Sequence, residues 1–203
     1  MTEDEARSRA ETIAGPDAMT LLDRYAALLV AENARQNVIA RSTEATIWSR
    51  HLLDSLQLAR FAREADRAWI DVGSGPGLPG LVLATLGRWD MALVESRRRR
   101  VDFLRSAVEH LGLRNVTVHG GDIRTFPYRG DVLTARAVAP LGDLLEWTRG
   151  CTDAATRFVL PKGRSAQDDV DLAVRRWHGS FHVEQSITDA GAGIVIADGV
   201  RPR

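Results

Sequence analysis

Apolar residues change their rhythm near residue 67. Before that point they recur at helical spacing. Leu21, Leu22, Tyr25, Leu28 and Leu29 share one face of a helix expected over 18–35. Trp48, Leu52, Leu56 and Ala59 form the stripe of a second, expected from about Ser42 to Arg63. Gly15-Pro16 breaks the chain ahead of the first helix, with Asp17 as its expected cap. Residues 1–14, mixed in charge and weakly periodic, read as a short helix or a loose arm. Ser42, followed by Glu44, is the expected cap of the second helix. Beyond residue 67, short apolar runs alternate with amphipathic stretches. Strands are expected at 69–73, 91–95, 116–119, 131–136 and 157–160, and helices near 79–87, 97–111 and 140–149. Ser165 and Asp168 have the spacing of a capping box for a helix reaching about Trp177. Two closing strands follow, at 181–187 and 193–197. This alternation predicts a doubly wound, mostly parallel α/β sheet over 67–203, with 1–66 as a helical subdomain in front of it.

One stretch organises the rest. Trp69, Ile70 and Val72 form a short apolar run suited to a strand covered on both faces. Gly73-Ser74-Gly75-Pro76-Gly77-Leu78-Pro79-Gly80 follows, and its glycines permit unusual dihedrals and close ligand approach. Gly75-x-Gly77-x-x-Gly80 also fits the dinucleotide fingerprint, which alone is a weak signal. Asp71 at the strand end shifts the balance. Asp-x-Gly-x-Gly-x-Gly resembles motif I of S-adenosylmethionine (SAM) dependent methyltransferases, and a dehydrogenase becomes the lesser reading.

Composition narrows the classes. Hydrophobic residues make up 44% and charged residues 27%, the proportions of a soluble globular domain. No apolar run approaches membrane length, and the acidic start lacks the features of a signal peptide, so a cytoplasmic location is expected. The single cysteine, Cys151, excludes an internal disulfide, and no Cys/His cluster has metal spacing, so no metal is expected. Formal net charge is zero, which counts mildly against RNA binding by charge alone. The distribution counts the other way, because residues 97–136 hold nine arginines against four acids. Lys162 is the only lysine in the chain.

In open α/β sheets ligands gather at the carboxyl ends of the strands, where strand order reverses. Glu95, about 20 residues past the glycine turn, suits ribose hydroxyls. Asp122-Ile123-Arg124 follows the third strand, where an adenine edge would lie. Arg136 ends the fourth strand and Lys162 follows the fifth, so both can face one cleft. His51, Asp54 and Ser55 share a helix face, but a nucleophilic serine needs an exposed, strained turn, so a hydrolase is disfavoured. No Asn-Pro-Pro-Tyr follows strand four, and Cys151 lacks a Pro-Cys context. Methylation of an exocyclic amine or by attack on a pyrimidine ring is therefore disfavoured, and a target that is already nucleophilic needs neither device.

Several motifs together resemble one family, the bacterial small-subunit rRNA (guanine-N7) methyltransferases called RsmG or glucose-inhibited division protein B. They are Arg50-His51-Leu52-Leu53-Asp54-Ser55-Leu56, Asp71 to Gly80, Arg99-Arg100-Val101-Asp102-Phe103-Leu104, Ala135-Arg136-Ala137 and Lys162-Gly163, with Asn37-Val38 ahead of the second helix. The resemblance implies a class I, Rossmann-like SAM-dependent fold with a seven-stranded sheet and a helical cap. It also implies methylation of N7 of one guanine in the decoding-region loop of 16S rRNA, presented as RNA, small subunit or assembly intermediate. Gly73, Leu78, Ile123, Arg124 and Arg136 would then line the SAM site, with Glu95 on the ribose, Gly75 beside the ligand and Asp122 near the adenine. Arg136 and Lys162 would serve the reaction, and His51 would orient the cleft without acting as a base. Arg50, Arg97, Arg99 and Arg100 are the expected phosphate contacts. Arg99-Arg100 departs from the family's usual Lys-Arg. Two alternatives stay open: a SAM-dependent methyltransferase of a small molecule or protein, and a SAM- or RNA-binding protein without turnover.

Overall fold

The computed structural model describes residues 1–203. Its N-terminal element, α1 (Glu3–Gln36), opens with a capping box between Thr2 and Glu5, so residues 3–14 are a capped helix and not a loose arm. The expected break appears as a kink at Gly15 (φ 76°, ψ 170°), and Pro16 starts the second segment, where its missing N–H costs nothing. Asp17 lies inside that segment and caps nothing. The helix ends at Asn37, whose left-handed φ of 52° lets its N–H reach Asn33 O.

The second expected helix is not continuous. Residues 41–61 run as a 3₁₀ turn (Arg41–Thr46), a π turn (Trp48–Leu52), a short α2 (Leu53–Leu56) and another 3₁₀ turn (Gln57–Phe61). Ser42 is not the cap; Ala40 holds that position. Tertiary bonds override the helical pattern here. The Glu3 carboxylate of α1 accepts the N–H groups of Trp48 (2.8 Å) and Ser49 (3.0 Å). Trp48, Leu52 and Leu56 still bury the predicted stripe.

Seven strands form one sheet: β1 (Ala68–Val72), β2 (Asp90–Glu95), β3 (Val116–Gly120), β4 (Val132–Ala135), β5 (Arg157–Gly163), β6 (Trp177–Gln185) and β7 (Gly193–Pro202). Their order is β3-β2-β1-β4-β5-β7-β6. The first five are parallel, and β7 runs antiparallel to both of its neighbours. Strand order reverses between β1 and β4, so their carboxyl ends flank the crevice where ligands collect. The N-terminal helices pack into one core with Trp69, Leu81, Leu93 and Ile194 on one face of the sheet. That core also takes in α3 (Gly80–Ala84) and the apolar stripe of α4 (Arg98–Leu111), which stops at Gly112 with a left-handed φ of 68°. The opposite face is covered by α5 (Leu141–Trp147) and α6 (Ala166–Ala173). The capping box expected for α6 is not formed, because Ser165 has ψ 8° and not the extended backbone that aims a capping hydroxyl. Trp177, expected to end that helix, opens β6 instead.

Candidate active site

The glycine turn leaves β1 with Gly73 (φ 63°), Gly75 (φ 55°) and Gly77 (φ 103°) in conformations that disfavour any side chain. Each branch of the turn is tied down. Gly73 and Ser74 donate to Val94 O (2.8 and 3.1 Å). Glu95, buried at the end of β2, accepts from Gly75 N–H (2.9 Å) and Arg97 N–H (2.8 Å). Asp71 accepts from Gly80 N–H (3.1 Å), so the first donor of α3 is not free for a ligand. Tyr25 of α1 donates to Pro76 O (2.8 Å), closing the turn from the helical side. Asp71 has no solvent exposure, and burial pushes its carboxyl up to about 7 against the hydrogen bonds and the Arg136 charge that lower it. Its second oxygen, Oδ1, accepts no hydrogen bond.

Beside the turn lies a chamber of about 210 Å³, lined by Val72, Gly73, Val94, Ile123, Val138 and Trp147 among others. Apolar walls of this kind suit a flat aromatic ring. Asp122 and Arg124 stand at its rim in a mutual ion pair, which holds Asp122 well down, at about 2. A Cβ on Gly73 would sit 2.7 Å from Val138 Cγ2, so only glycine leaves the wall as it is.

Val138 also borders a second, larger cleft of about 810 Å³. Three ion pairs ring it: Arg50–Asp189 at 3.4 Å, Arg136–Asp54 at 3.6 Å and Lys162–Asp169 at 3.1 Å. His51 lies against Arg136. The Thr43 hydroxyl donates to Ala40 O (2.7 Å), so it accepts from His51 Nε2–H (2.7 Å), leaving Nδ1 to accept from Arg136 (3.4 Å). Burial, with Arg136 and Arg50 nearby, holds His51 down at about 4, so it is neutral at pH 7. Ser55 is buried in a helical turn and donates to His51 O (2.7 Å), so it is not the exposed serine a hydrolase needs. Ala137, next to Arg136, holds a strained φ of 55°.

The two chambers bring most of the expected residues together. Gly73, Asp122, Ile123 and Arg124 line the smaller one, and Arg50, His51, Arg136 and Lys162 the larger. Gly75 and Glu95 meet in the turn. Leu78 lines neither chamber: its side chain packs in the core and its N–H donates to Ser74 O (3.2 Å). Arg97 and Arg99 are exposed at the start of α4, whereas Arg100 turns inward toward Glu95 (3.9 Å). Sequence reasoning missed Val138, Trp147, Asp169 and Asp189. The signal for Val138 was its place two residues past Arg136 at a strand exit. Asp169 was masked by the capping-box pattern on its neighbour Asp168, and Asp189 carries no local signal.

The family model for GidB, described as rRNA small subunit methyltransferase G, matches residues 18–194. Ribosomal RNA small subunit methyltransferase G of Sphingopyxis alaskensis is 48% identical, over 88% of this chain and 77% of its own. Its namesake from Rhizorhabdus wittichii is 43% identical, over 100% of this chain and 95% of its own. Among solved structures, a mutant of MtNAS in complex with S-adenosylmethionine superposes with a TM-score of 0.60 at 20% identity, covering 90% of this chain and 76% of that one. M. jannaschii TYW2 in complex with AdoMet does so at 0.53 and 16%, covering 74% of each chain. At such identities the likeness is one of fold: a Rossmann-like sheet with helices on both faces.

Proposed function

The chain belongs to the rRNA small subunit methyltransferase G family, and on that premise we propose that it transfers a methyl group from SAM to N7 of a guanine in the decoding-region loop of 16S rRNA. The substrate would be 16S rRNA, the small subunit or its assembly intermediate, in the cytoplasm. The observation that carries the reading is the divided cleft at the switch point, one chamber apolar and ring-sized, the other ringed by charge, with Val138 common to both. Gly73, Gly75, Glu95, Asp122, Ile123 and Arg124 would hold SAM, with Leu78 shaping the turn beneath it, and Arg136 would face its charged end. The lining suits that ligand: Val72, Val94 and Val138 offer apolar walls to its ring, and Asp122 and Arg124 offer polar groups at the rim. Bound there, SAM supplies a methyl group on a positively charged sulfur.

Guanine N7 carries an in-plane lone pair and no proton, so the protein needs no general base. His51 agrees with this. It is neutral, and its one acceptor nitrogen is engaged by Arg136, so its work is to orient that guanidinium. The residues' task is to hold the base and to exclude water, and positioning of that kind lowers barriers by several kcal/mol. Positive charge develops on the guanine ring during transfer. An uncompensated cation beside the ring would oppose it, but Arg50, Arg136 and Lys162 each carry a carboxylate partner.

The test is labelled methyl transfer from SAM to small ribosomal subunits, with the modified base identified. We expect 7-methylguanine in 16S rRNA. Val138→Trp puts a bulky ring where the two chambers meet. It should weaken SAM binding, read by calorimetry, by about 5- to 150-fold, the factor that an overpacking cost of about 1–3 kcal/mol makes when it falls on the complex. Label on another atom, or none on the RNA, would overturn the reading.

A further inference from the structure

The larger cleft contains three carboxylates, and they are not equally committed. Asp54 accepts from Gln57 (2.9 Å) and Thr188 (2.7 Å) on Oδ1 and faces Arg136 with Oδ2. Asp189 accepts from Gly191 N–H (2.9 Å) on Oδ1 and faces Arg50 with Oδ2. Asp169 faces Lys162 with Oδ2, and its Oδ1 has no partner although the side chain is only 19% exposed. Lys162 is likewise partly spent. Of its three donors one goes to Ala139 O (2.6 Å) and one toward Asp169, leaving the third free. Ala139 follows Val138, so the ammonium is tethered at the border between the two chambers.

A free donor beside a free acceptor is the complement of guanine's O6 and N1–H. On the base, O6 lies between N7 and N1. A free donor and a free acceptor on neighbouring side chains of one cleft match that adjacent pair. We infer that Lys162 donates to guanine O6 while Asp169 Oδ1 accepts from N1–H, which makes Asp169 a specificity-determining residue. The inference rests on the N7 reading above and deepens it. Adenine has the opposite polarity, with an amino donor against the ammonium and a nitrogen lone pair against the carboxylate. A site with committed polar groups rejects such a base because they would be left unpaired.

The test compares small subunits carrying guanosine or 2-aminopurine riboside at the target position. The analogue keeps N7 and lacks both O6 and N1–H. The wild-type enzyme should methylate it about 100-fold more slowly in kcat/KM, as expected for hydrogen bonds to charged groups. Asp169→Ala should lose about 10- to 100-fold on guanosine, lose much less on the analogue, and keep its SAM affinity. Asp169→Asn, nearly isosteric, guards against a folding defect in the alanine variant. Lys162 would draw its amide oxygen and turn the NH₂ to the base, so the ratio between the two RNAs should shrink there too. If both RNAs slowed equally, the ratio would stay at the wild-type value and Asp169 would read neither group, which would overturn the inference. In a Lys162→Ala background Asp169→Ala should still slow guanosine more than the analogue; if it cost nothing further there, Asp169 would merely support Lys162, and the inference would fall. If the wild-type enzyme bound SAM but methylated neither RNA, the N7 reading would fall, and this inference with it.

Discussion

Asp71 shows how burial reshapes one residue's chemistry. Its place at the end of β1 was legible in the sequence, but its complete burial was not, because that depends on Gly80 and Leu93 packing over it. A Cβ on Gly80 would lie 2.5 Å from Asp71 Oδ2 and 2.3 Å from Leu93 Cδ2, so the glycine admits the carboxyl. Burial raises the folded carboxyl from 3.8 to about 7. The folded protein therefore holds this proton more tightly than the unfolded chain. The resulting stability is fully present below the ordinary carboxyl pKa and is lost as pH rises through about 7. Asp71→Asn removes this dependence. Between pH 5 and 8 the wild type should lose, relative to that variant, on the order of a few kcal/mol. Thermal denaturation of both proteins at the two pH values measures the difference. A constant gap would mean that the carboxyl is not perturbed.

Among the elements, α1 does more than cover the sheet. Its apolar face was readable from spacing alone, and Tyr25 appeared there as one more core residue. The structure gives Tyr25 a second task, since its hydroxyl reaches Pro76 O across 51 positions of sequence. Near its other end α1 uses Glu3 to break the helix at residues 48–49, which reshapes the segment that holds His51 and Asp54. Tyr25→Phe leaves the packing and removes the bond, stranding a buried carbonyl. It should cost about 1–3 kcal/mol in urea denaturation and also weaken SAM binding, because the turn loses one anchor. A variant with wild-type stability and affinity would show that the turn holds its shape without α1.

For the whole molecule, charge is balanced in total and uneven in place. Net charge is zero, yet Arg97, Arg98 and Arg99 stand exposed together where α4 begins, and Arg50 lies at the rim of the larger cleft. Phosphate contacts by these residues would make RNA affinity fall linearly in log salt, by about 0.7 to 0.9 per contact. Neutralising Arg97 and Arg99 to Gln should flatten that slope and spare SAM affinity. Arg100→Gln should behave differently, because Arg100 faces Glu95 and so supports the turn. A slope unchanged in the Arg97 and Arg99 variant would return those residues to a solvated helix face.

What the sequence determined by itself are features set within a few residues of one another. The alternation after residue 67 marks the strands and α4, Gly-Ser-Gly-Pro-Gly marks a turn only glycine can make, and the strand ends mark where polar groups collect. These follow from side-chain periodicity and backbone sterics, which neighbours along the chain decide. The tertiary structure alone decided which charge meets which. Arg50 finds Asp189 across 139 positions, and Asp54 is reached by Thr188 across 134. It also decided that residues 41–61 would abandon one helix for four short turns, and that Asp169 rather than Asp168 would face Lys162. Such pairings depend on distances in space between elements that the sheet order brings together, and spacing along the chain carries no record of those distances.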